Sequence, residues 1–116
     1  MVMSMLSDEV IASHRQELRR GTAALACLTL LAVEPDYGYN LIGRLDTLGI
    51  EIEANTLYPL LRRLEKQELL SSAWDTTEAR PRKFYSTSDH GRALITQLRS
   101  DWAALTSVMD QIGENA

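Results

Sequence analysis

A chain of 116 residues with 45% hydrophobic and 24% charged residues has ordinary globular composition, which argues against a second folded domain, a disordered chain or a repeat array. The net charge of −4 is unevenly distributed: residues 55 to 92 carry seven basic against five acidic groups, residues 1 to 54 four against eight, and residues 93 to 116 one against three. The positive charge is therefore concentrated in residues 55 to 92. Binding of an anionic partner depends on such a local patch, so it is compatible with an acidic remainder of the chain.

Residues 8 to 20 predict a polar amphipathic helix. A strongly apolar helix then runs from Gly21 or Thr22 to Glu34, because Pro35 disfavours helical geometry at the residue before it. Its apolar stretch is far too short to span a bilayer. The first residues of the chain mix charges throughout, unlike a secretion signal. We therefore expect a cytoplasmic protein without membrane association.

A second helix is predicted over residues 37 to 48, after a turn at Pro35-Asp36, and Gly49 provides its C-terminal cap. The apolar residues of this helix lie on one side: Tyr39, Ile42, Leu45 and Leu48. The alternating segment at residues 50 to 53 predicts the brief first strand that many winged helices place before their third helix.

The third helix is predicted from Asn55, its N-cap, to about Gln67, with Pro59 in the first turn, where a missing amide hydrogen costs nothing. Leucines at i, i+3, i+4 and i+7 form a buried stripe: Leu57, Leu60, Leu61 and Leu64. The other faces carry polar and mostly cationic residues: Tyr58, Arg62, Arg63 and Lys66. Arginine can contact phosphate or guanine, tyrosine can reach a phosphate or stack, and lysine offers a point charge. We therefore predict a DNA recognition helix.

A short antiparallel hairpin is predicted next, with strands at residues 69 to 74 and 82 to 86 and a turn-rich tip between them. A second cationic cluster, at residues 80 to 83, lies at the tip or on the return strand. Three helices followed by a hairpin are the order in which a winged helix-turn-helix docks its recognition helix in the major groove. The predicted fold is therefore mainly α with a small β-hairpin.

Ser88 caps a last helix that runs towards Ile112. Its apolar residues alternate steps of three and four, as in the a/d seam of a heptad repeat: Ile95, Leu98, Trp102, Leu105, Met109 and Ile112. A seam this narrow pairs with another helix. We predict a winged helix-turn-helix domain over residues 1 to 92 and a dimerisation helix over residues 93 to 116. Packing of this helix within one chain is the alternative.

The sequence offers no catalytic or metal site. Cys27, the single cysteine, lies in an alanine and leucine run typical of a buried helix, and His14 and His90 lie in polar segments. These residues match none of the zinc spacings. Paired carboxylates, a nucleophile with its base and a glycine-rich phosphate loop are also missing. We therefore expect no enzymatic activity, no metal and no cofactor.

Three short motifs carry a family resemblance. They are Gly38-Tyr39, the segment N-T-L-Y-P-L-L-R-R-L-E at residues 55 to 65, and R-P-R-K-F-Y at residues 80 to 85, with Thr87 and Gly91 downstream. In this combination the chain resembles the PadR family of bacterial transcriptional regulators, most closely over residues 22 to 92. The resemblance implies a winged-helix homodimer that usually represses transcription by occupying an operator.

The resemblance also implies roles for individual residues. On the family pattern, the DNA-contacting helix and wing correspond to Asn55, Thr56, Tyr58, Arg62, Arg80, Arg82 and Lys83. Arg63 and Lys66 belong to the predicted site as the other cations of the recognition helix. A single C-terminal helix, carrying the dimer interface, resembles the smaller branch of the family. In some members of that branch a tryptophan at the place of Trp102 lines a pocket between subunits that holds flat aromatic ligands. The alternative is that Trp102 is only a packed seam residue.

Two departures from the family pattern have structural consequences. Gln67-Glu68 stands where a glycine commonly follows the recognition helix, so this turn must form without a residue that readily takes positive φ. Tyr37 stands where a histidine or arginine often precedes the glycine of the second helix, which weakens the case for a phosphate contact there.

The leading hypothesis is a homodimeric repressor on an inverted-repeat operator, with release by a small planar aromatic effector as a further expectation. The alternative, from a different functional class, is a winged-helix protein-interaction module without sequence-specific DNA binding.

Overall fold

The computed structural model describes residues 6 to 116, so the first five residues of the predicted DNA-binding domain lie outside the described range. In chain order the elements are α1 (Asp8–Arg19), a 3-10 helix (Arg20–Thr22), α2 (Ala23–Val33), β1 (Asp36–Tyr37), α3 (Gly38–Thr47), α4 (Ala54–Lys66), β2 (Leu70–Asp75), β3 (Arg82–Thr87) and α5 (Asp89–Glu114). The predicted fold, mainly helical with a small hairpin, is confirmed.

The hydrophobic core lies between α2, α3, α4 and the base of the hairpin. The leucine stripe predicted for the recognition helix is confirmed, because all four of its leucines are buried: Leu57, Leu60, Leu61 and Leu64. Cys27 is fully buried in the same core, as predicted. Burial raises the pKa of its thiol to about 12, so Cys27 stays protonated and packs as a small apolar side chain.

The predicted hairpin is confirmed, with three of the four strand ends one residue further along the chain than predicted. β2 pairs with β3 from Leu70 opposite Thr87 to Asp75 opposite Arg82. β3 is the central strand of a three-stranded antiparallel sheet in the order β1-β3-β2. We call the β2–β3 hairpin the wing.

The first strand lies elsewhere than predicted. Residues 50 to 53 form no strand, and β1 instead precedes α3 and pairs with β3, with Asp36 opposite Tyr85. Ile50 and Ile52 are half-buried against the core. Their alternation therefore reflects packing of an irregular segment and not strand pairing.

A polar cluster around the buried Asp36 links β1 to the helices on either side. The Asp36 carboxylate accepts hydrogen bonds from Arg44 Nη1 at 3.2 Å and Asn40 Nδ2 at 2.6 Å. Arg44 also donates to the carbonyl oxygens of Glu34 and Leu30, each at 3.1 Å. These contacts join the C-terminal end of α2 to α3, and they hold the segment predicted as a turn in strand geometry.

The buried face of α3 agrees only in part with the prediction, which is confirmed for Leu45 and for Ile42, packed against the core. Leu41 and Leu45, at i and i+4, are buried, whereas Tyr39 and Leu48 are exposed. Tyr39 lies two residues before Leu41, which places the two side chains on nearly opposite sides of the helix. Gly49 follows the helix with φ of 82°, which confirms its predicted role at the C-terminal end.

Asn55 is not the N-cap of α4, contrary to the prediction. The helix begins one residue earlier, and Glu53 occupies the cap position without a side-chain capping bond. The Glu53 carbonyl accepts from the amides of Thr56 and Leu57, each at 2.9 Å. The Asn55 side chain is therefore not used in capping and lies exposed on the first turn.

The turn from α4 into β2 forms without glycine by placing Glu68 in the left-handed region, with φ of 63°. The Glu68 amide donates to the Glu65 carbonyl at 2.9 Å, and the Glu68 carbonyl accepts from Ser88 Oγ at 2.7 Å. Both bonds hold this conformation. For a residue with a side chain it costs about 1 kcal/mol relative to glycine.

We expect Glu68→Gly to raise the free energy of unfolding by about 0.5–1 kcal/mol, because it removes this backbone strain. Gln67→Gly is the matched control: Gln67 has an ordinary φ of −80°, so glycine there adds only chain entropy and lowers stability. Denaturant midpoints of the two variants test the prediction. Equal losses in both variants would contradict it.

The start of α5 packs closely against the same turn. Ser88 is its N-cap, as predicted, and Ser88 Oγ accepts from the Gly91 amide at 3.1 Å. Gly91 is buried, and a Cβ at this position would overlap the carbonyl oxygen of Leu69. That oxygen belongs to the backbone and cannot rotate away.

Gly91→Ala is therefore expected to lower the free energy of unfolding by about 1–3 kcal/mol through overpacking. Gly113→Ala, in the same helix with nothing within 4 Å of the added Cβ, should raise it by about 0.5–1 kcal/mol through helix propensity. Thermal unfolding of the two variants gives the comparison. Opposite signs support the close contact, and a neutral Gly91→Ala would refute it.

Two helices lie at the periphery of the domain. α1, which the structure describes in full, has no buried residue. The first part of α5, a helix of 26 residues, packs against α2 and β3, whereas residues 99 to 116 are all exposed. Within residues 6 to 116, none of the helices is long and apolar enough to cross a membrane.

Candidate nucleic-acid interface

The outer face of α4 is polar, cationic and open to solvent. The leucine stripe faces the core, so most of the remaining positions of the helix point outward. The predicted contact residues that lie exposed on α4 are Asn55, Thr56, Arg62, Arg63 and Lys66. This surface presents hydrogen-bond donors and three cations from one rigid element, which suits phosphates and base edges.

Tyr58 has a different environment from the other predicted contact residues of α4. It is half-buried and packs against the core. Its ring covers Gly38 so closely that a Cβ on Gly38 would overlap Tyr58 Cε1. The glycine of the Gly38-Tyr39 motif is thus explained by close packing of α3 on α4, and the Tyr58 ring is fixed between these helices.

The wing separates two cations that are adjacent in sequence. Neighbouring residues of a strand point to opposite faces of the sheet, so Arg82 and Lys83 diverge. Arg82 lies on the outer face, 3.0 Å from Glu78 Oε2, with its guanidinium 4.6 Å from the centroid of the Tyr37 ring. Arg80, near the tip of the wing, is exposed.

Lys83 faces α4 and is paired there. Its Nζ donates to Glu65 Oε1 at 2.8 Å and lies 5.2 Å from the centroid of the Tyr85 ring. The other Glu65 oxygen accepts from Ser72 Oγ. The hydrogen bonds from Lys83 and Ser72 lower the pKa of Glu65, and the hydrogen bond to Glu65 raises the pKa of Lys83.

The structure thus brings together the predicted residues of α4 with the exposed tip of the wing, but it holds Arg82 and Lys83 in ion pairs. Glu65 and Ser72 were not among the residues predicted from the sequence. The alternation of side chains along a strand could have predicted that Arg82 and Lys83 lie on opposite faces of the wing. Nothing in the sequence indicates the contact between Ser72 and Glu65, because it depends on how the wing folds back onto α4.

A second surface feature is an apolar groove of about 710 Å³ between α2, the end of α3 and α5. Trp102 lines one side of it, and the groove also contains Leu25, Leu30, Ile50, Arg19 and Arg99. Trp102 is 53% exposed, so its indole is open to whatever fills the groove. In the part of the chain that the structure describes, no cluster of histidine, cysteine or acidic residues is arranged to hold a metal ion.

The sequence and the fold both match known proteins. The model of the transcriptional regulator PadR-like family matches residues 27–97. The chain is similar to a PadR family transcriptional regulator from Eggerthella lenta DSM 2243 whose crystal structure is known. The two share 44% sequence identity and superimpose with a TM-score of 0.89, over 94% of this chain and 96% of that chain. Transcriptional regulator Rv3488 of Mycobacterium tuberculosis is 33% identical over 84 residues, 72% of this chain and 78% of that protein.

A transcriptional regulator from Clostridium thermocellum has the same fold, with a TM-score of 0.74 and 26% identity over 82% of this chain and 96% of that chain. The family match runs from within α2 to the start of α5 and includes α4 and the wing, the two elements that carry the cationic surface. The chain therefore belongs to the PadR-like family of transcriptional regulators.

Proposed function

We propose that the protein is a homodimeric repressor whose two α4 helices enter successive major grooves of an inverted-repeat operator, with centres about 34 Å apart. The observation that carries this proposal is the exposed cationic face of α4 beside the wing. Occupying an operator blocks transcription without any chemistry at the site. Because a repressor acts on DNA, we place the protein in the cytoplasm.

Dimerisation through α5 is supported by its unpartnered apolar stripe. Ile95 packs against the core of its own chain, and Leu98 is half-buried. Further along the seam, Leu105 and Met109 are 57% and 61% exposed, and Ile112 is exposed as well. A second copy of α5 would remove this apolar area from water. We therefore assign the distal half of the seam to the dimer interface.

The test is selection of bound sequences from a random pool of double-stranded DNA at near-physiological salt. The Arg62→Ala, Arg63→Ala variant is run alongside the unaltered protein. We expect the unaltered protein to enrich an inverted repeat that the variant fails to select. Enrichment by neither protein would count against the repressor.

A protein-interaction module is the second candidate function. The observation that favours it is the pairing of Arg82 and Lys83 with carboxylates, which reduces the positive charge that the wing offers to DNA. A module of this kind would use the same outer face of α4 to bind an acidic protein. It would give no enriched sequence in the selection.

An effector is proposed for the groove beside Trp102. Its apolar walls suit a planar aromatic molecule, and Arg19 and Arg99 favour one that carries a negative charge. With Trp74 replaced by phenylalanine, Trp102 is the remaining tryptophan of the chain. We expect a planar aromatic anion to quench Trp102 emission saturably, and more strongly than a cation of similar size.

Trp102→Ala is the control for this prediction. In a chain that retains Trp74, this variant should lose the response while remaining dimeric. Quenching that rises linearly with concentration and matches that of free tryptophan would mean that no aromatic ligand occupies the groove.

A further inference from the structure

Three polar side chains join the wing to the recognition helix, and we call Glu65, Ser72 and Lys83 the wing clamp. We infer that the wing clamp sets the position of the wing relative to α4, and that Lys83 is a positioning residue of the interface and not a phosphate ligand. This inference rests on the proposed DNA binding and specifies how the wing takes part in it.

One carboxylate holds both strands of the wing. Glu65 Oε1 accepts from Lys83 on β3 at 2.8 Å, and Glu65 Oε2 accepts from Ser72 on β2. The three residues come from three different elements, so the angle between α4 and the wing cannot change without breaking at least one of these bonds. Charge-assisted hydrogen bonds of this kind are stronger than neutral ones and more directional than a simple ion pair.

The clamp lies where apolar packing of the wing ends. Leu70 and Tyr85 are buried at the base of the wing, and Ser72 is the residue opposite Tyr85. Two residues further towards the tip, Trp74 lies opposite Lys83 and is 65% exposed. Hydrophobic burial therefore fixes the base, and the clamp is needed to fix the part of the wing beyond it.

The pairing also makes Lys83 a poor phosphate ligand. Its side chain is half-buried, and its ammonium donates to Glu65 and lies beside the Tyr85 ring. The neighbouring carboxylate cancels its charge locally, so a phosphate would have to displace Glu65. Arg80, which is exposed, is the wing cation available to DNA.

The two possible roles of Lys83 predict opposite results for Glu65→Gln. If Lys83 bound phosphate, neutralising its partner would free the cation and tighten DNA binding. A clamp predicts weaker binding, by roughly three- to tenfold, because a loosened wing must be ordered on association. The probe is the operator obtained by selection, titrated by fluorescence anisotropy at several salt concentrations.

Lys83→Met adds a second readout. Loss of a phosphate ligand from both subunits would flatten the slope of log affinity against log salt by about 1.8, at about 0.9 per contact. A positioning residue leaves the slope unchanged while the affinity falls. Arg62→Ala, which removes an exposed cation of α4, is the control that should flatten it. The Glu65→Gln, Lys83→Met double variant should bind no more weakly than either single variant, since all three lose the same interaction.

Amide exchange separates wing order from overall folding. In Glu65→Gln, exchange should accelerate in β2 and β3 and stay unchanged in α2. Tighter binding by Glu65→Gln, or a flattened salt slope for Lys83→Met, would overturn the inference. If the unaltered protein bound no DNA, the proposed function would fail. The exchange data would then test the wing clamp independently of DNA binding. Unchanged exchange in the wing of Glu65→Gln would refute the clamp.

Discussion

We expect replacement of Arg62 and Arg63 with alanine to lower affinity for the proposed operator by at least about a hundredfold, because an arginine at a guanine contributes about 1–3 kcal/mol and the proposed dimer would lose four arginines. Both side chains are exposed on α4, outside the buried leucine stripe. Their removal therefore leaves the core intact. Anisotropy titrations with the selected operator measure the loss, and thermal unfolding confirms that stability is unchanged.

The salt dependence identifies the mechanism behind this loss. If about six to eight phosphates are neutralised per dimer, log affinity of the unaltered protein falls with log salt at a slope of roughly −5 to −7. The double alanine variant should give a flatter slope. Arg99→Ala is the matched control, because it removes an exposed cation from α5 instead of α4. A slope near zero for the unaltered protein would rule out phosphate binding.

The second large effect is expected from charges in the seam of α5. Leu105→Asp with Met109→Asp should raise the dimer dissociation constant by at least about a thousandfold, because four carboxylates would have to be buried unpaired in an apolar interface. Both positions are exposed in the single chain, so the monomer keeps its fold. Sedimentation at micromolar concentration measures the dimer, and operator affinity should fall with it.

Ser107→Asp with Gln111→Asp is the matched control for the seam. These positions have the same spacing and lie on the opposite side of the heptad from Leu105 and Met109. The control should remain dimeric, because its new carboxylates stay in water. A Leu105→Asp, Met109→Asp protein that remains dimeric would show that α5 pairs through another face or does not pair at all.

The elements predicted correctly from the sequence are those with a local physical cause. The leucine stripe of α4 follows from a spacing of three and four residues, and the Ser88 cap follows from the preference of a hydroxyl for the first helical amides. The missing glycine after α4 was also visible in the sequence, although only the structure shows that Glu68 takes the positive φ. Each of these rests on contacts within a few residues of the chain.

The errors concern contacts between distant segments. β1 at residues 36 and 37 is too short to show a strand pattern, and its existence depends on β3, far along the chain. The apolar alternation of Ile50 and Ile52 was misleading because core packing and strand pairing produce the same pattern. Asn55 met the composition rule for an N-cap, yet the helix begins one residue earlier.

The sequence by itself determined the helical framework, the hairpin, the cationic character of α4 and the family, because periodicity, capping and motif spacing are written along the chain. Only the tertiary structure decided which cations are free. It placed the ring of Tyr58 over Gly38 and brought Glu65 against Lys83 and Ser72. Hydrogen bonds and ion pairs act over a few ångströms in space, and a linear sequence does not record which distant residues come that close.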